Sequence, residues 1–332
     1  MQFFRKYTWQ VSVLLSLTAG GMLYGCQFAY SNGAGGTSVK STSTAPWQHD
    51  ASAQLPAKPV RGALPGFWKH WGDGKGELTG YKGKVSRYGQ LRDATAALVY
   101  VTETMDRRKW IKDDSVRSPY RVPVLKLNYA LKFQTGIYPY SVLTSVFTAV
   151  GKWREESFPP VKVTLTAQEW CGHIFHGIWP GQDDVVSKVF SYFASEGEQA
   201  ERIKTGKGAL YEDALMIQLR ELDGAFAGGK DWSGSLIPSL WTTRKAHRAL
   251  RPVQATIARK QSLLGTQKVH HFTLKYKGVL RDFYVERGGD HRLLRWTSSD
   301  GEDMRLQKTK RLAYWGLSGP GGKSYRKQIG LK

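Results

Sequence analysis

The sequence predicts a mainly β, β-rich α+β protein built on a large antiparallel sheet with one or two helices. Three observations carry that expectation. The 332 residues include 36 Gly, 12 Trp, 16 Tyr and 13 Phe, a composition that favours strands and turns over a helical bundle. Apolar runs of strand length recur, separated by turns that carry Gly and Asp. No alternation of strands with helices is visible, which argues against a parallel nucleotide-binding sheet.

The elements follow in order. Folding is expected to start at Phe67-Trp68 and to end near residue 315. Residues 76–87 alternate weakly, with Leu78, Gly80 and Lys82 set against Thr79, Tyr81 and Gly83. Residues 94–104 (ATAALVYVTET) form a strong β-run, and further strands are expected at 122–133, 140–150, 161–175 and 188–194. One helix is expected at about 209–223. There Tyr211, Leu215, Leu219 and Leu222 share a face, Glu212, Arg220 and Glu221 point away, and Gly224 supplies a stop. Strands return at 236–246, 252–262, 269–276, 279–286, 291–298 and 303–314. The turns Lys277-Gly278, Gly288-Gly289-Asp290 and Asp300-Gly301 join several of them into a meander. Residues 316–332 read as a basic, Gly-rich tail that frays.

The N-terminus has a different character. Arg5 and Lys6 precede an apolar run, Val11 to Met22, that is too short and too Gly-rich for a good spanning helix. The run ends in Leu23-Tyr24-Gly25-Cys26, which resembles a bacterial lipobox. The resemblance implies a lipoprotein signal peptide over 1–25 and a mature N-terminus at an acylated Cys26, anchored to a membrane. Gln27, a non-Asp residue after that Cys, is compatible with the outer membrane and points to its periplasmic side. Residues 26–66 are rich in Gly, Ser, Thr, Ala and Pro and read as a flexible tether. Such a chain spans roughly 35 Å root-mean-square. With Cys26 acylated, Cys171 has no cysteine left to pair with, so the core must hold the fold.

Charge narrows the function classes. The chain carries 49 Lys+Arg against 27 Asp+Glu, a formal net charge of +22. Its mean hydropathy of −0.43 excludes a multi-span membrane protein. Positive residues gather at 107–109, at Arg244, Lys245, Arg248 and Arg251, at Arg259 and Lys260, and at Lys308, Lys310 and Arg311. An exported basic protein meets anionic lipid, lipopolysaccharide phosphates and peptidoglycan carboxylates, and no nucleic acid. The plain alternative is a soluble basic surface with no dedicated ligand.

Several phrases resemble a family of bacterial lipoproteins and secreted proteins often labelled septum formation inhibitor Maf. They are Ser86-Arg87-Tyr88-Gly89-Gln90-Leu91-Arg92, Val99-Tyr100-Val101-Thr102-Glu103, Val122-Pro123-Val124-Leu125-Lys126-Leu127-Asn128, Thr135-Gly136-Ile137-Tyr138-Pro139-Tyr140-Ser141, Gln168-Glu169-Trp170-Cys171-Gly172-His173 and Ile237-Pro238-Ser239-Leu240. The resemblance implies an exported protein and brings no established activity. The Ser-x-Ser-Pro-Arg-Arg motif of true Maf nucleotide pyrophosphatases is absent. His291-Arg292-Leu293-Leu294-Arg295-Trp296 is similar to the last strands of periplasmic half-barrels of the lipoprotein-localisation type. That similarity implies a large curved antiparallel sheet, or half-barrel, curling around an apolar cavity.

Chemistry-bearing residues are few. Glu169, Cys171 and His173 alternate, so on a strand they share a face. A Cys beside a His supplies a nucleophile and a base. The bland alternative is a small buried Cys with its neighbours paired elsewhere. Cys171, His173 and His176 offer a thiolate and two imidazoles to a metal, provided that a turn brings His176 to the face of His173. No Gly-x-Ser-x-Gly or His-Glu-x-x-His is present, and the Gly-rich run 316–324 has the wrong spacing for a phosphate loop. No cofactor is expected. Residues 135–141 and 168–173 are the expected recognition surface, with Tyr138, Tyr140 and Trp170 as its binding residues.

The first expectation is therefore a non-enzymatic outer-membrane lipoprotein that binds an anionic or amphipathic envelope component: lipid, lipopolysaccharide or glycan. The alternatives are an envelope hydrolase or a thiol- or metal-dependent enzyme using Glu169, Cys171 and His173, and a structural or assembly lipoprotein that binds another envelope protein.

Overall fold

The computed structural model describes residues 66–114, 118–150, 152–153 and 156–331. The expected signal peptide, Cys26 and the tether up to residue 65 lie outside them. The described chain starts with α1 (Gly66–Trp71), which buries Phe67 and Trp71. It continues through β1 (Gly76–Arg87), β2 (Gln90–Asp106), β3 (Ile111–Lys112), β4 (Arg121–Thr135) and β5 (Tyr138–Ala149). The two-residue β6 (Lys152–Trp153) and β7 (Glu156–Ser157) pair with each other. Next come β8 (Pro160–Glu169), β9 (Gly172–Pro180), β10 (Asp184–Ser191), β11 (Glu198–Lys204) and β12 (Leu210–Tyr211). After α2 (Leu215–Gln218), β13 (Trp232–Ile237) and α3 (Leu240–Lys245), the chain forms β14 (Val253–Leu264), β15 (Gln267–Tyr276), β16 (Val279–Glu286), β17 (Leu293–Ser298) and β18 (Asp303–Leu312). It ends with α4 (Tyr325–Gln328).

Sixteen strands make one sheet, in the order β11-β10-β9-β8-β5-β4-β2-β1-β18-β17-β16-β15-β14-β13-β12, with β3 added on β2. Two meanders are thus joined side by side where β1 meets β18. Every pairing in this order is antiparallel except the short parallel contact of β12 with β13. The edges β11 and β12 follow each other in the chain, and the sheet does not close into a barrel. Ser235 Oγ, in β13, donates to the Thr205 carbonyl just beyond β11 at 2.6 Å.

The sheet curls strongly. β4 and β17 are four strands apart, about 19 Å on a flat sheet at the usual strand spacing. Yet the rings of Tyr129 and Trp296, one on each, lie 5.7 Å apart. The curl follows from alternation: one face of each strand carries the large apolar residues, such as Leu98, Leu127, Val146, Leu165, Ile257, Phe272 and Phe283, and they meet in one core. The expected curved sheet is what forms. The expected apolar cavity inside it is not. Buried Leu215, Ile217 and Leu219 fill the concave side together with α3, leaving a cavity of about 20 Å³ beside Tyr129, Asp213, Arg281 and Glu302.

Charges buried on this side come with partners. Arg220 makes two bonds to the Glu77 carboxylate, at 2.8 and 3.1 Å, and donates to the carbonyls of Asp290 and His291. Its guanidinium lies 4.5 Å from the Tyr100 ring. Burial pushes the Glu77 carboxyl up, but Arg220 and His70 together outweigh it and hold the group at about 2. Arg281 bridges Glu212 and Glu302, and Glu212 also accepts from the Ser239 N–H and the Tyr276 hydroxyl.

Four expectations about elements are corrected. The helix at 209–223 shrinks to α2, preceded by a single 3-10 turn, because Glu212 and Asp213 turn to bind the backbone of Ser239 and Leu240. Glu221 then takes a left-handed φ of 55°, which stops any helix at Arg220 and its bonds to Glu77. The strand at 236–246 ends at Ile237, and α3 follows Pro238-Ser239. The strand at 161–175 is two strands, β8 and β9, folded at Trp170-Cys171. The tail does not fray: Ile329 and Leu331 are buried.

Candidate functional site

The tail positions the site. Gly80, in β1, has its Cα side covered by the last residues: a Cβ there would lie 1.9 Å from the Ile329 carbonyl oxygen. Only glycine permits that approach. A register shift between Gly80 and Tyr81 against β18 marks the same spot as a β-bulge. The segment from α4 to Leu331 therefore stands on the outer face of the sheet as a wall.

Beside this wall lies an open groove of about 940 Å³. Lys82 and Lys84 from β1, Asp93 and Thr95 from β2, Lys132 from β4, Ser141 from β5 and Gln168 from β8 line it, with Arg326 and Leu331 on the wall and Trp170 at the far end. The register explains this set. Lys82 pairs with Thr95, Thr95 with Lys132, Lys132 with Ser141, Ser141 with Gln168 and Gln168 with His173. Directly paired residues share a face, so one row of polar side chains crosses six strands. Lys82 and Lys132 sit two strands apart, about 10 Å.

Electrostatics divides this row. On the β14–β18 side His271 lies 2.7 Å from Asp282, and Asp303 takes both Arg295 at 2.8 Å and Arg305 at 2.9 Å, while Lys260, Lys275 and Lys310 have no ion-pair partner among the described residues. In the groove, Lys84 pairs with Asp93 at 2.7 Å. Lys82 and Lys132 have no ion-pair partner among the described residues. Lys82 also stands opposite Arg305, a like-charge neighbour that disfavours the pair unless an anion intervenes.

The expected binding residues are distributed unequally. Trp170 is exposed on the β8–β9 turn and lines the groove. Tyr140 also contributes to the lining, but its ring is buried, stacked 4.8 Å from Phe133, and its hydroxyl lies 2.6 Å from that of Tyr88. Tyr138 is half-buried and packs 6.0 Å from Tyr140. The groove cations Lys82, Lys132 and Arg326 belong to none of the basic clusters singled out in the sequence. Half of the cations in those clusters are paired: Arg108 with Asp106, Arg244 with Glu196, Lys245 with Asp300, Arg251 with Glu201, Arg259 with Glu221 and Arg311 with Asp73.

The expected chemistry residues do not converge. Cys171 is an exposed free thiol on the turn, and its N–H donates to Glu169 Oε2 at 2.7 Å. The same carboxylate raises the thiol pKa, whereas a reactive thiolate needs it lowered. No hydrogen bond joins Cys171 to His173 among the described residues. His173 lies on the outer face and His176 is fully buried on the inner one, its Nε2 2.9 Å from Ser187 Oγ. Burial lowers His176 to about 3, so it is neutral. No turn intervenes between the two histidines, and no group of three His, Cys, Asp or Glu is placed to hold a metal among the described residues. Nearby, Glu196 is occupied by His247 Nδ1 at 2.7 Å and by Arg244 at 2.8 Å.

Comparison with family models, curated proteins and solved structures finds no match for this chain.

Proposed function

We propose that the chain is a non-enzymatic binding protein of the bacterial cell envelope whose outer-face groove takes an anionic amphiphile. Acylated Cys26 would hold it at the outer membrane, on the periplasmic side, with residues 26–66 as the tether; Arg5, Lys6, the apolar run and Leu23 to Cys26 support that part. The groove supports the rest. Its volume suits a lipid-sized or glycolipid-sized ligand. Lys82 and Lys132 would take phosphate or carboxylate groups, and Trp170, Pro139 and Leu331 would cover an apolar body. The single observation that carries the reading is a walled groove in which Lys82 and Lys132 stand two strands apart with no ion-pair partner among the described residues.

The test is calorimetric titration of the full chain carrying Cys26→Ser with a short-chain phosphatidylglycerol below its micelle concentration. Phosphatidylcholine of the same chain length is the control. The anionic lipid should bind, the zwitterionic one should bind at least about tenfold more weakly, and Lys82→Gln with Lys132→Gln should erase the difference. Equal binding of both lipids, or a preference that survives the double variant, overturns the groove. Separately, Cys26→Ser should abolish acylation of the protein in cells; a variant that still carries an acyl chain overturns the anchor.

A further inference from the structure

Exposed large apolar side chains are unevenly distributed over the ends of the sheet. β1, β4, β8 and β10 run towards one end, and their partners β2, β5, β9 and β11 run back from it. Four hairpin tips therefore gather at that end, next to one another in sheet order. Each carries a large apolar residue in the open. Tyr88 is 56% exposed on the first tip, Ile137 75% on the second, Trp170 67% on the third and Tyr192 65% on the fourth. Leu91 and Phe193 add to the first and fourth.

Turn formation does not require these residues. Tight hairpins ask for Gly, Asn or Asp, and bulky residues at the turn contribute nothing to it. Turns elsewhere in this chain follow that rule: Gly181-Gln182-Asp183 and Gly206-Lys207-Gly208 at the opposite end of the same strands, and Lys277-Gly278 and Asp300-Gly301 in the second meander. The apolar tips are also held in place. The Tyr88 hydroxyl meets that of Tyr140, and Tyr192 packs so closely on the third hairpin that a Cβ at Gly172 would lie 2.6 Å from its Cγ. Basic residues stand just behind the first two tips, Arg87 and Arg92 beside the first and Lys132 below the second, while Glu169 stands at the third and Glu196 and Glu198 at the fourth.

We propose that these four hairpin tips form a docking surface that seats in the headgroup region of an anionic bilayer. Adjacent tips are two strands apart, so the four span about 30 Å along the curled edge. Neighbouring tips touch, the first and second through Tyr88 and Tyr140 and the third and fourth through Gly172 and Tyr192, so their apolar side chains follow one another along a curled edge. A fluid bilayer adapts to such a curled row, whereas a protein partner would have to match its whole length as one rigid surface. Aromatic and aliphatic side chains backed by Arg and Lys are the composition that partitions to a membrane interface. The proposal stands apart from the groove, because Ile137 and Tyr192 do not line it.

The test is co-sedimentation of the full chain carrying Cys26→Ser with vesicles of phosphatidylethanolamine and phosphatidylglycerol at 7:3, roughly the anionic fraction at which basic surfaces bind. The protein should partition onto them, and Ile137→Ser with Tyr192→Ser should weaken partition by about tenfold or more. Leu263→Ser removes an equally exposed apolar residue away from these tips and should change nothing. Lys82→Gln with Lys132→Gln should leave the dependence on the tips intact. Absence of vesicle binding overturns the docking surface. So does a tip variant that binds as well as the parent, or an equal loss in Leu263→Ser. Vesicle binding lost only in the lysine variant overturns the docking surface and leaves the groove standing.

Discussion

Arg220 and Lys132 lie on opposite sides of the same sheet and are treated in opposite ways. Arg220 is buried on the concave side, where one carboxylate, two carbonyls and an aromatic ring surround it. Lys132 is exposed on the convex side, with no ion-pair partner among the described residues. A buried charge must be paired, because an unpaired one costs several kcal/mol, while an exposed lysine is free to wait for a ligand. Net charge alone therefore does not locate a site in this protein; the groove is singled out by its wall together with two lysines that have no ion-pair partner among the described residues.

Four changes test that contrast, from the largest expected effect to the smallest. Arg220→Met should cost about 3–5 kcal/mol in chemical denaturation, because Glu77 stays buried without its partner. A loss under about 1 kcal/mol would mean that the inner pair is as dispensable as a surface one. Gly80→Ala should cost about 1–3 kcal/mol, and it should also weaken phosphatidylglycerol binding, because the added Cβ displaces the Ile329 carbonyl and with it the groove wall. Unchanged binding would separate the wall from the groove.

The third change concerns Asp213. Burial, with Glu212 beside it, raises its carboxyl to about 6 against the pull of the Leu240 N–H and Arg281. A group held above its unfolded value favours folding while it is protonated. That stabilisation is fully present below about pH 4 and is lost as the pH rises through 6. Asp213→Asn keeps an acceptor for Leu240 and cannot ionise. Relative to the parent it should therefore gain stability between pH 4 and pH 7, by at most roughly 3 kcal/mol, and level off above. Thermal melts across that range check the sign; a variant that loses ground as the pH rises would show that the ionised carboxylate is the favoured form. The smallest effect belongs to Lys82→Gln with Lys132→Gln, which should shift stability by no more than about 0.5 kcal/mol while removing ligand preference.

Much of the fold was legible in the sequence, because period-two alternation and Gly- or Asp-bearing turns are local signals. The β14–β18 meander shows this, with its turns at 277–278 and 300–301 where expected. One failure was non-local and another was a turn without its usual residues. Residues 209–223 have a helical apolar pattern, but Glu212, Asp213 and Arg220 are claimed by partners far along the chain. The hairpin at Trp170-Cys171 lacks a Gly or Asn in its turn, so it was read as one strand. Of the site, Trp170 was legible as an aromatic in a polar phrase. Lys82 and Lys132 were not, because each is a single lysine on a different strand, and only the register through Thr95 puts them in one row. The basic clusters are conspicuous instead, and half of their cations are paired within the fold.

The two edges of the sheet, β11 and β12, are neighbours in the chain, while its central seam joins the first long strand to the last. Thr79 and Thr309 meet across that seam although 230 residues separate them. The folding chain must therefore complete its most distant contact to unite two meanders that are each local. Slow folding follows from that closure, because loop entropy is spent before the seam returns any stability. A circular permutant opened at 206–208, with Leu331 linked directly to Gly66, would make the connection across the seam far shorter than the present 230 residues. The sheet would then be a single unbroken meander from β12 to β11, and refolding should speed up without a change in the final pairing.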